Sequence, residues 1–332
     1  MDQQLKKIDQ NLFGRDKLDW LRQYRPFENG IPVDDTIARI VRVICPEQLN
    51  KAFMNWVNEV RVETGKPQIA IDGKTLRHSY DGDKQTALHS ITAWSKDAGL
   101  VLAQLKSSGK KNENASVLDL LDTLNIKGAL ISADAMNSQK KIVEKICSEN
   151  ADYVLCIKNN HKQLRDEIAA YFHKVERDNP AWIACNEQTD SGHGRIEVRR
   201  CQQLRISEWI SEAQHWKGIR SVIKIERERH LKDKEVSTET QYYISSLDID
   251  PAAVNQAIRA HWEVENKVHW VLDVTFKEDD SRIRKEDGAE NVGVIRRFCL
   301  NMARLHPKKA SMRSKLKMAG WADEFRAELI FG

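Results

Sequence analysis

Three acidic residues stand where phosphoryl chemistry would use them. Asp72 closes the short apolar run Gln68-Ile-Ala-Ile-Asp72, Asp134 follows Ala129-Leu-Ile-Ser-Ala133, and Glu265 lies inside a later helical stretch. Gly73, directly after the first acid, leaves room for another backbone or a ligand to come close. If the two runs are neighbouring parallel strands, both aspartates emerge at their carboxyl ends, at one sheet edge, where ligands of α/β sheets commonly bind. Glu265 has His261 at i−4 and His269 at i+4, on the same helix face. Clustered carboxylates repel one another unless protonated or neutralised by cations. Hard oxygen donors of this kind suit Mg²⁺, with Mn²⁺ as a substitute, and two such ions about 3.5–4 Å apart can clamp the attacking and leaving oxygens of a phosphoryl displacement. A single strand-end Asp is equally an ordinary cap or turn former; it is the strand, strand, helix order of all three that favours chemistry. The pair His261 and His269 offers transition-metal ligation as an alternative, without an evident third ligand.

Cations surround these acids. Lys74 and Arg77 follow Asp72 in Ile71-Asp-Gly-Lys-Thr-Leu-Arg-His78, Lys158 opens Lys158-Asn-Asn-His161, and His193 and Arg195 sit in Ser191-Gly-His-Gly-Arg195, which reads as a flexible loop. Each is a candidate for gripping a phosphate backbone, or else a solvated surface residue.

The elements that must position these groups are legible as patterns. Ile37, Ile40, Val41 and Ile44 form a 3.6-period stripe, with Asp34, Asp35 and Thr36 in front as capping residues; Cys45-Pro46 breaks that helix, and a second runs through Leu49, Phe53, Trp56 and Val57. After the Gly65-Lys66-Pro67 turn come three strands in a meander, Gln68–Asp72, Ala87–Trp94 and Leu100–Leu105, the last two joined by Lys96-Asp-Ala-Gly99. A helix (115–124), a strand (129–133), a helix (139–148), a strand (153–157) and a helix (161–173) follow. Strands alternating with helices imply parallel pairing with right-handed crossovers. The expected fold is α/β and ribonuclease H-like: three antiparallel then two parallel strands. Within about 180–247 the alternation breaks, and strand-like stretches at 196–200, 220–227 and 241–245 predict a β-rich insertion. A long helix starts at Pro251, a favoured first-turn residue, more helix runs from about 287 to 305, and a basic helical tail ends the chain. The domain reading is a helical segment at 1–66, a catalytic domain at 67–305 carrying the insertion, and a tail at 306–332.

Composition narrows the class. The 332 residues are 41% hydrophobic and 31% charged, with nine Trp, which excludes disorder as the dominant state. No run nears the length of a membrane span, and no apolar leader opens the chain. The six cysteines form no Cys-x-x-Cys pair, as expected of reduced thiols in a cytoplasmic protein. Net charge is only +4, but it is unevenly spread: residues 258–290 carry nine acids against six bases, and residues 291–322 carry eight Lys or Arg and no acid. Metal at one place and polyanion at another fits that pattern; a solvated helical tail is the plain alternative.

Taken together, Ile71-Asp-Gly-Lys-Thr-Leu-Arg77, Ser132-Ala-Asp-Ala-Met136, His193-Gly-Arg195 and His261-Trp-Glu-Val-Glu-Asn-Lys-Val-His-Trp-Val-Leu-Asp-Val274 resemble the H-repeat-associated proteins of the DDE insertion-sequence transposases, over about Trp20 to Arg304. The resemblance implies DNA transposition, with Asp72, Asp134 and Glu265 as the metal-binding triad. Asp72 would serve both of two Mg²⁺ ions and each other acid one of them. It further implies hydrolysis at element ends, attack of the freed 3′-hydroxyl on target DNA, and a homodimer on DNA. Several positions depart from the pattern. Related transposases place Arg one turn before the Glu and Lys or Arg after it, where this chain has His261, His269 and Leu272; as imidazolium ions the histidines would still contact phosphate. Asn159 and His161 replace the usual Gly and Gln. Relatives also carry an apolar helical segment ahead of the stretch resembling Phe13 to Val33, so an N-terminally shortened copy is expected. The rival readings are a Mg²⁺-dependent nuclease without strand transfer, a catalytically idle DNA-binding remnant and, from the acid cluster alone, a small-molecule hydrolase.

Overall fold

Helices occupy the N-terminal part of the chain, as its apolar stripe requires: α1 (Gln10–Asp16), α2 (Leu18–Arg22), α3 (Asp34–Val43) and α4 (Pro46–Val60). The computed structural model describes residues 10–62, 65–80, 87–107, 113–192, 195–231 and 235–332. The start of α3 differs from expectation. Val33 is its N-cap, no side chain caps it, and Asp34 and Asp35 fall inside the first turn, where they face the positive end of the helix dipole instead. Its far end is closed by Asn291, whose Nδ2 donates to the carbonyls of Val41 and Ile44, both at 2.8 Å.

Past Pro67 the elements follow in the expected order: β1 (Gln68–Thr75), β2 (His89–Ser95), β3 (Leu100–Ser107), α5 (Glu113–Thr123), β4 (Leu130–Ala133), α6 (Lys140–Ser148), β5 (Asp152–Ile157) and α7 (Lys162–Asp178). β1 pairs antiparallel with β2, and β2 with β3. β1 pairs parallel with β4, and β4 with β5. Four strands then come before the next long helix: β6 (Ala184–Gly192), β7 (Arg195–Arg205), β8 (Ser221–Leu231) and β9 (Ser237–Ser245). They form no separate layer. β9 pairs antiparallel with β5, so one nine-stranded mixed sheet runs β3-β2-β1-β4-β5-β9-β8-β7-β6. The pattern reading missed β6 because it is a polar, mostly exposed edge strand without an apolar face. The stretch expected as a flexible loop at 191–195 is the close of the β6–β7 hairpin, with Gly192 opposite Arg195; His193 lies outside the described residues.

Helix α8 (Pro251–His261) is started by Asp250, which accepts from the Ala253 amide at 3.0 Å, with Pro251 in its first turn. Its Val254 and Ile258 pack with Ala135, Val154, Cys156, Cys201, Ile223, Ile225 and Tyr243 on one face of the sheet. Gln68 of β1 fixes the crossing: its Nε2 donates to the Ala257 carbonyl at 2.7 Å and to Ser132 Oγ at 3.2 Å. Helical backbone continues to α9 (Trp270–Val274), but Glu265–His269 between them is a π turn, closed by the Trp270 amide on the Glu265 carbonyl.

Two compact units divide the chain: residues 56–75 with 89–270, and residues 1–55 with 76–88 and 271–332. The second contains α10 (Gly288–Leu305), α11 (Met312–Trp321) and α12 (Asp323–Phe331). Its basic run is not simply a solvated face. Arg297 is fully buried, donating from Nη1 to Glu278 Oε1 at 2.8 Å and to the Gly293 carbonyl at 3.0 Å. Lys315 is buried too, on the carbonyls of Ala303 and His306. Among the described residues no helix is long and apolar enough to cross a membrane.

Removing one partner of a buried ion pair strands the other charge away from water. Glu278→Ala is therefore expected to destabilise folding by about 3–5 kcal/mol in urea titrations. A loss of under about 1 kcal/mol, the scale of an exposed pair, would contradict this reading of Arg297.

Candidate functional site

The sheet register brings the two aspartates to one place. The last β1–β4 pair is Ile71 with Ala133, so Asp72 and Asp134 are the next residues on neighbouring parallel strands. Asp72 is not at the end of its strand, however: β1 continues beside β2 to Thr75, with Asp72 opposite Thr92. It sits where β1 loses β4 as a neighbour, which frees one side of the strand while the other stays paired.

Glu265 arrives from the π turn. Such turns widen the helix locally and recur at functional sites. One ligand atom from each of Asp72, Glu265 and His269 lies within 4.8 Å of the others. His269 is buried and its Nε2 is 3.0 Å from Asp72 Oδ2. Burial alone would raise the Asp72 pKa, but the His269 hydrogen bond and the nearby His269 and His261 hold it below the ordinary aspartate value. The trio brought together thus includes His269, expected as a phosphate contact; Asp134 stands outside it.

Asp134 is held by its own turn. Its Oδ1 accepts from the Asn137 amide at 3.1 Å and from Asn137 Nδ2 at 3.0 Å. Burial raises its pKa against the Asn137 amide, and the negative charges of Asp72 and Glu113 push the same way. Glu113, at the start of α5, is a fourth acid that the sequence reading missed. It is buried, takes Asn137 Nδ2 on Oε1 at 2.7 Å, and sits with Oε2 2.8 Å from His89 Nε2. His89 Nδ1 in turn lies 2.9 Å from Thr75 Oγ1. The spacing Asp134-x-x-Asn137 is an Asx-turn signal that was available; nothing in the polar start of α5 announces Glu113. This network also lies against Gly73: an added Cβ would stand 2.5 Å from Glu113 Oε1 and 2.9 Å from His89 Nε2.

The remaining candidates divide. Lys74 is two residues beyond Asp72 on β1, hence on the same strand face. Lys158 is exposed at the start of a short turn tied to the Asp134 loop, since Asn160 Nδ2 donates to the Ala135 carbonyl at 2.5 Å and His161 Nε2 lies 2.7 Å from the Ser138 carbonyl. Arg77 belongs to the other unit and pairs with Asp279 at 3.2 Å. Arg195 is exposed at the start of β7. His261 Nδ1 is 3.2 Å from Ser132 Oγ. Burial pushes its pKa below the usual histidine value despite Asp72 and Asp134.

An acid from a strand and an acid from a helix meet here, Asp72 and Glu265, and sequence comparison gives the family. A family model described as transposase DDE domain matches residues 63–302, and one described as DDE_Tnp_1-associated matches residues 3–57. The chain belongs to the DDE transposase family. It is 39% identical over 328 residues to the "H repeat-associated putative transposase YhhI" of Escherichia coli K12, covering 96% of this chain and 86% of that one. It is 39% identical over 326 residues to the "Putative protein YbfL" of the same strain, with the same coverage. The "H repeat-associated putative transposase YbfD" is 43% identical over 190 residues, 56% of this chain and 74% of that one.

Asn137→Ala removes the donor that Asp134 and Glu113 share and is expected to cost about 1–3 kcal/mol of stability in denaturant unfolding, the penalty of an unsatisfied buried acceptor. Gly73→Ala is expected to lower the melting temperature by several degrees, since the new methyl displaces a buried carboxylate. An unchanged melting temperature would show that Glu113 yields freely.

Proposed function

We propose that the chain is a DNA transposase acting in the cytoplasm on insertion-sequence ends, with Asp72, Asp134 and Glu265 as the acids of its site. The observation that carries this reading is the convergence of Asp72 and Glu265, from the first strand and a late helix, beside the register position of Asp134. The strand order and directions of β1–β5 support a ribonuclease H-like reading of the catalytic domain, proposed over 67–305, with 1–66 and 306–332 as flanking helical segments.

The donor set fits divalent cations. Two carboxylates and an imidazole nitrogen lie within 4.8 Å, and the added Asp134 concentrates negative charge that a cation would relieve. Asp72, Asp134 and Glu265 would hold Mg²⁺, or Mn²⁺ in its place. When bound, two such ions supply charge neutralisation for displacement at phosphorus and activate the attacking oxygen. His269 orients the Asp72 carboxylate and Asn137 that of Asp134. Lys74, Lys158, Arg195, His193, Arg77, His261 and His269 are the proposed side chains for phosphate. In the proposed reaction water hydrolyses the phosphodiester at the element end and releases a 3′-hydroxyl, which then attacks a target phosphodiester and expels another 3′-hydroxyl. Positioning supplies the rate, without a covalent protein intermediate. Synapsis of two ends would be served by a homodimer.

Asp72→Ala, Asp134→Ala and Glu265→Ala should each lower Mg²⁺-dependent nicking of end-bearing DNA by about 10³-fold or more, the scale of losing a main transition-state stabiliser, while DNA binding persists in gel shifts. A joining assay with pre-cut ends tests strand transfer. Cleavage surviving all three substitutions would overturn the assignment.

A further inference from the structure

The sheet face that packs α8 changes character along its length. Near the start of the helix it is apolar, through Cys201, Ile223, Ile225 and Tyr243. Two residues further along β7 and β8 the same face presents Arg199 opposite Arg227, and two further again Glu197 opposite Arg229. These arginines line a cleft of about 610 Å³, closed on its other side by Arg259 and by the helical residues Trp262, Glu263, Asn266 and Lys267. The last two flank or follow Glu265 directly, so one wall of the cleft is the backbone that carries the third acid of the site.

Charge in this cleft does not balance. Arg195, Arg199, Arg227, Arg229, Arg259 and Lys267 stand against Asp190, Glu197 and Glu263. Glu197 alone serves three guanidiniums, Arg199 at 3.3 Å, Arg229 at 3.2 Å and Arg227 at 3.7 Å. Asp190 is taken by Arg259. Arg227 finds Glu239 at 3.5 Å and stacks its guanidinium 6.0 Å from the Trp262 ring centre. Both Arg199 and Arg227 are nine-tenths buried, yet Arg199 Nη1 and Arg227 Nε have no hydrogen-bond partner among the described residues. Burial and the facing Arg227 both push the Arg199 guanidinium below its usual pKa. Burying two like charges side by side with unpaired donors is costly. A fold optimised for stability alone would extend the apolar face; a surplus of guanidiniums along a cleft suits phosphate oxygens, whose geometry they match.

We infer that this arginine cleft between the β7–β8 face and the helix bearing Glu265 is a phosphodiester-binding groove that holds the DNA backbone beside the acid cluster. The inference rests on the transposase reading and adds a site to it: of its residues only Arg195 was marked by the sequence. Guanidiniums on a sheet extension and the scissile-bond acids on its older strands would then be held in fixed register by one sheet.

The test uses the exposed members, which are not part of the core. The double variant Arg195→Ala/Arg229→Ala and the single variant Glu263→Gln are compared with the full-length wild type by fluorescence anisotropy on a labelled duplex of arbitrary sequence, over a series of salt concentrations without divalent cation. Circular dichroism and the melting temperature check that each is folded. The double variant should make the slope of log affinity against log salt shallower by about two units, one per lost phosphate contact, and weaken binding on every sequence alike. Glu263→Gln should tighten binding. A wild-type slope in the double variant overturns the groove, whatever Glu263→Gln does. So does a slope unchanged on DNA together with a melting temperature raised by orthophosphate in the wild type only, which would mark a site for free phosphate. Asp72→Ala, run in parallel, keeps the two readings apart: lost cleavage with a wild-type slope in the double variant sinks the groove alone, and retained cleavage in Asp72→Ala sinks the proposed chemistry alone.

Discussion

Negative charge crowded into a half-buried space is the constraint around which this protein is arranged. Asp72, Asp134, Glu265 and Glu113 all gather where β1 and β4 part. In water four such groups would separate; here the sheet fixes two of them, a helix a third, and the start of α5 the fourth. Three of them are restrained by specific polar neighbours. His269 takes Asp72, and Asn137 divides its amide hydrogens between Asp134 and Glu113. His89 faces the other oxygen of Glu113. Burial raises the pKa of both aspartates; His269 outweighs it at Asp72, which moves toward the charged form, whereas at Asp134 burial prevails over the Asn137 amide and the charges of Asp72 and Glu113 add to it.

Much of this was legible in the sequence, and for identifiable reasons. Apolar runs ending on acids located β1 and β4, because the change from apolar to charged residues is a sharp boundary in composition, although β1 itself continues past Asp72 to Thr75. Asp250-Pro251 marked the start of α8 through capping chemistry that acts within four residues. What escaped was non-local. His269 was read as a phosphate contact because its position after Glu265 was known and its burial against Asp72 was not. Glu113 offers no local signal at all; its partners come from β2 and from the turn after β4. Capping of α3 by Asp34 failed because the helix starts one residue earlier than its polar residues suggest. β6 was invisible because its half-buried face carries the polar Asn186 and Gln188, so its hydropathy has no alternation to read.

The added strands show how a sheet accommodates extra chain. Pairing of β9 with β5 makes the stretch expected as an insertion a continuation of the sheet, so that its residues are held in backbone register with β1 and β4. Backbone pairing is insensitive to side-chain identity, which leaves one face of β7 and β8 free to change from apolar to cationic along its length.

The same topology orders events in time. Residues 152–157 must wait for residues 237–245 before their outer edge is covered, and Glu265 lies later still. During synthesis, when domains assemble from the N-terminal side, the nascent polypeptide already holds Asp72 and Asp134 on adjacent strands but lacks its third acid until the sheet has closed over β5. A product ending before residue 265 would carry both aspartates without Glu265, and so, on the proposed assignment, only part of the site.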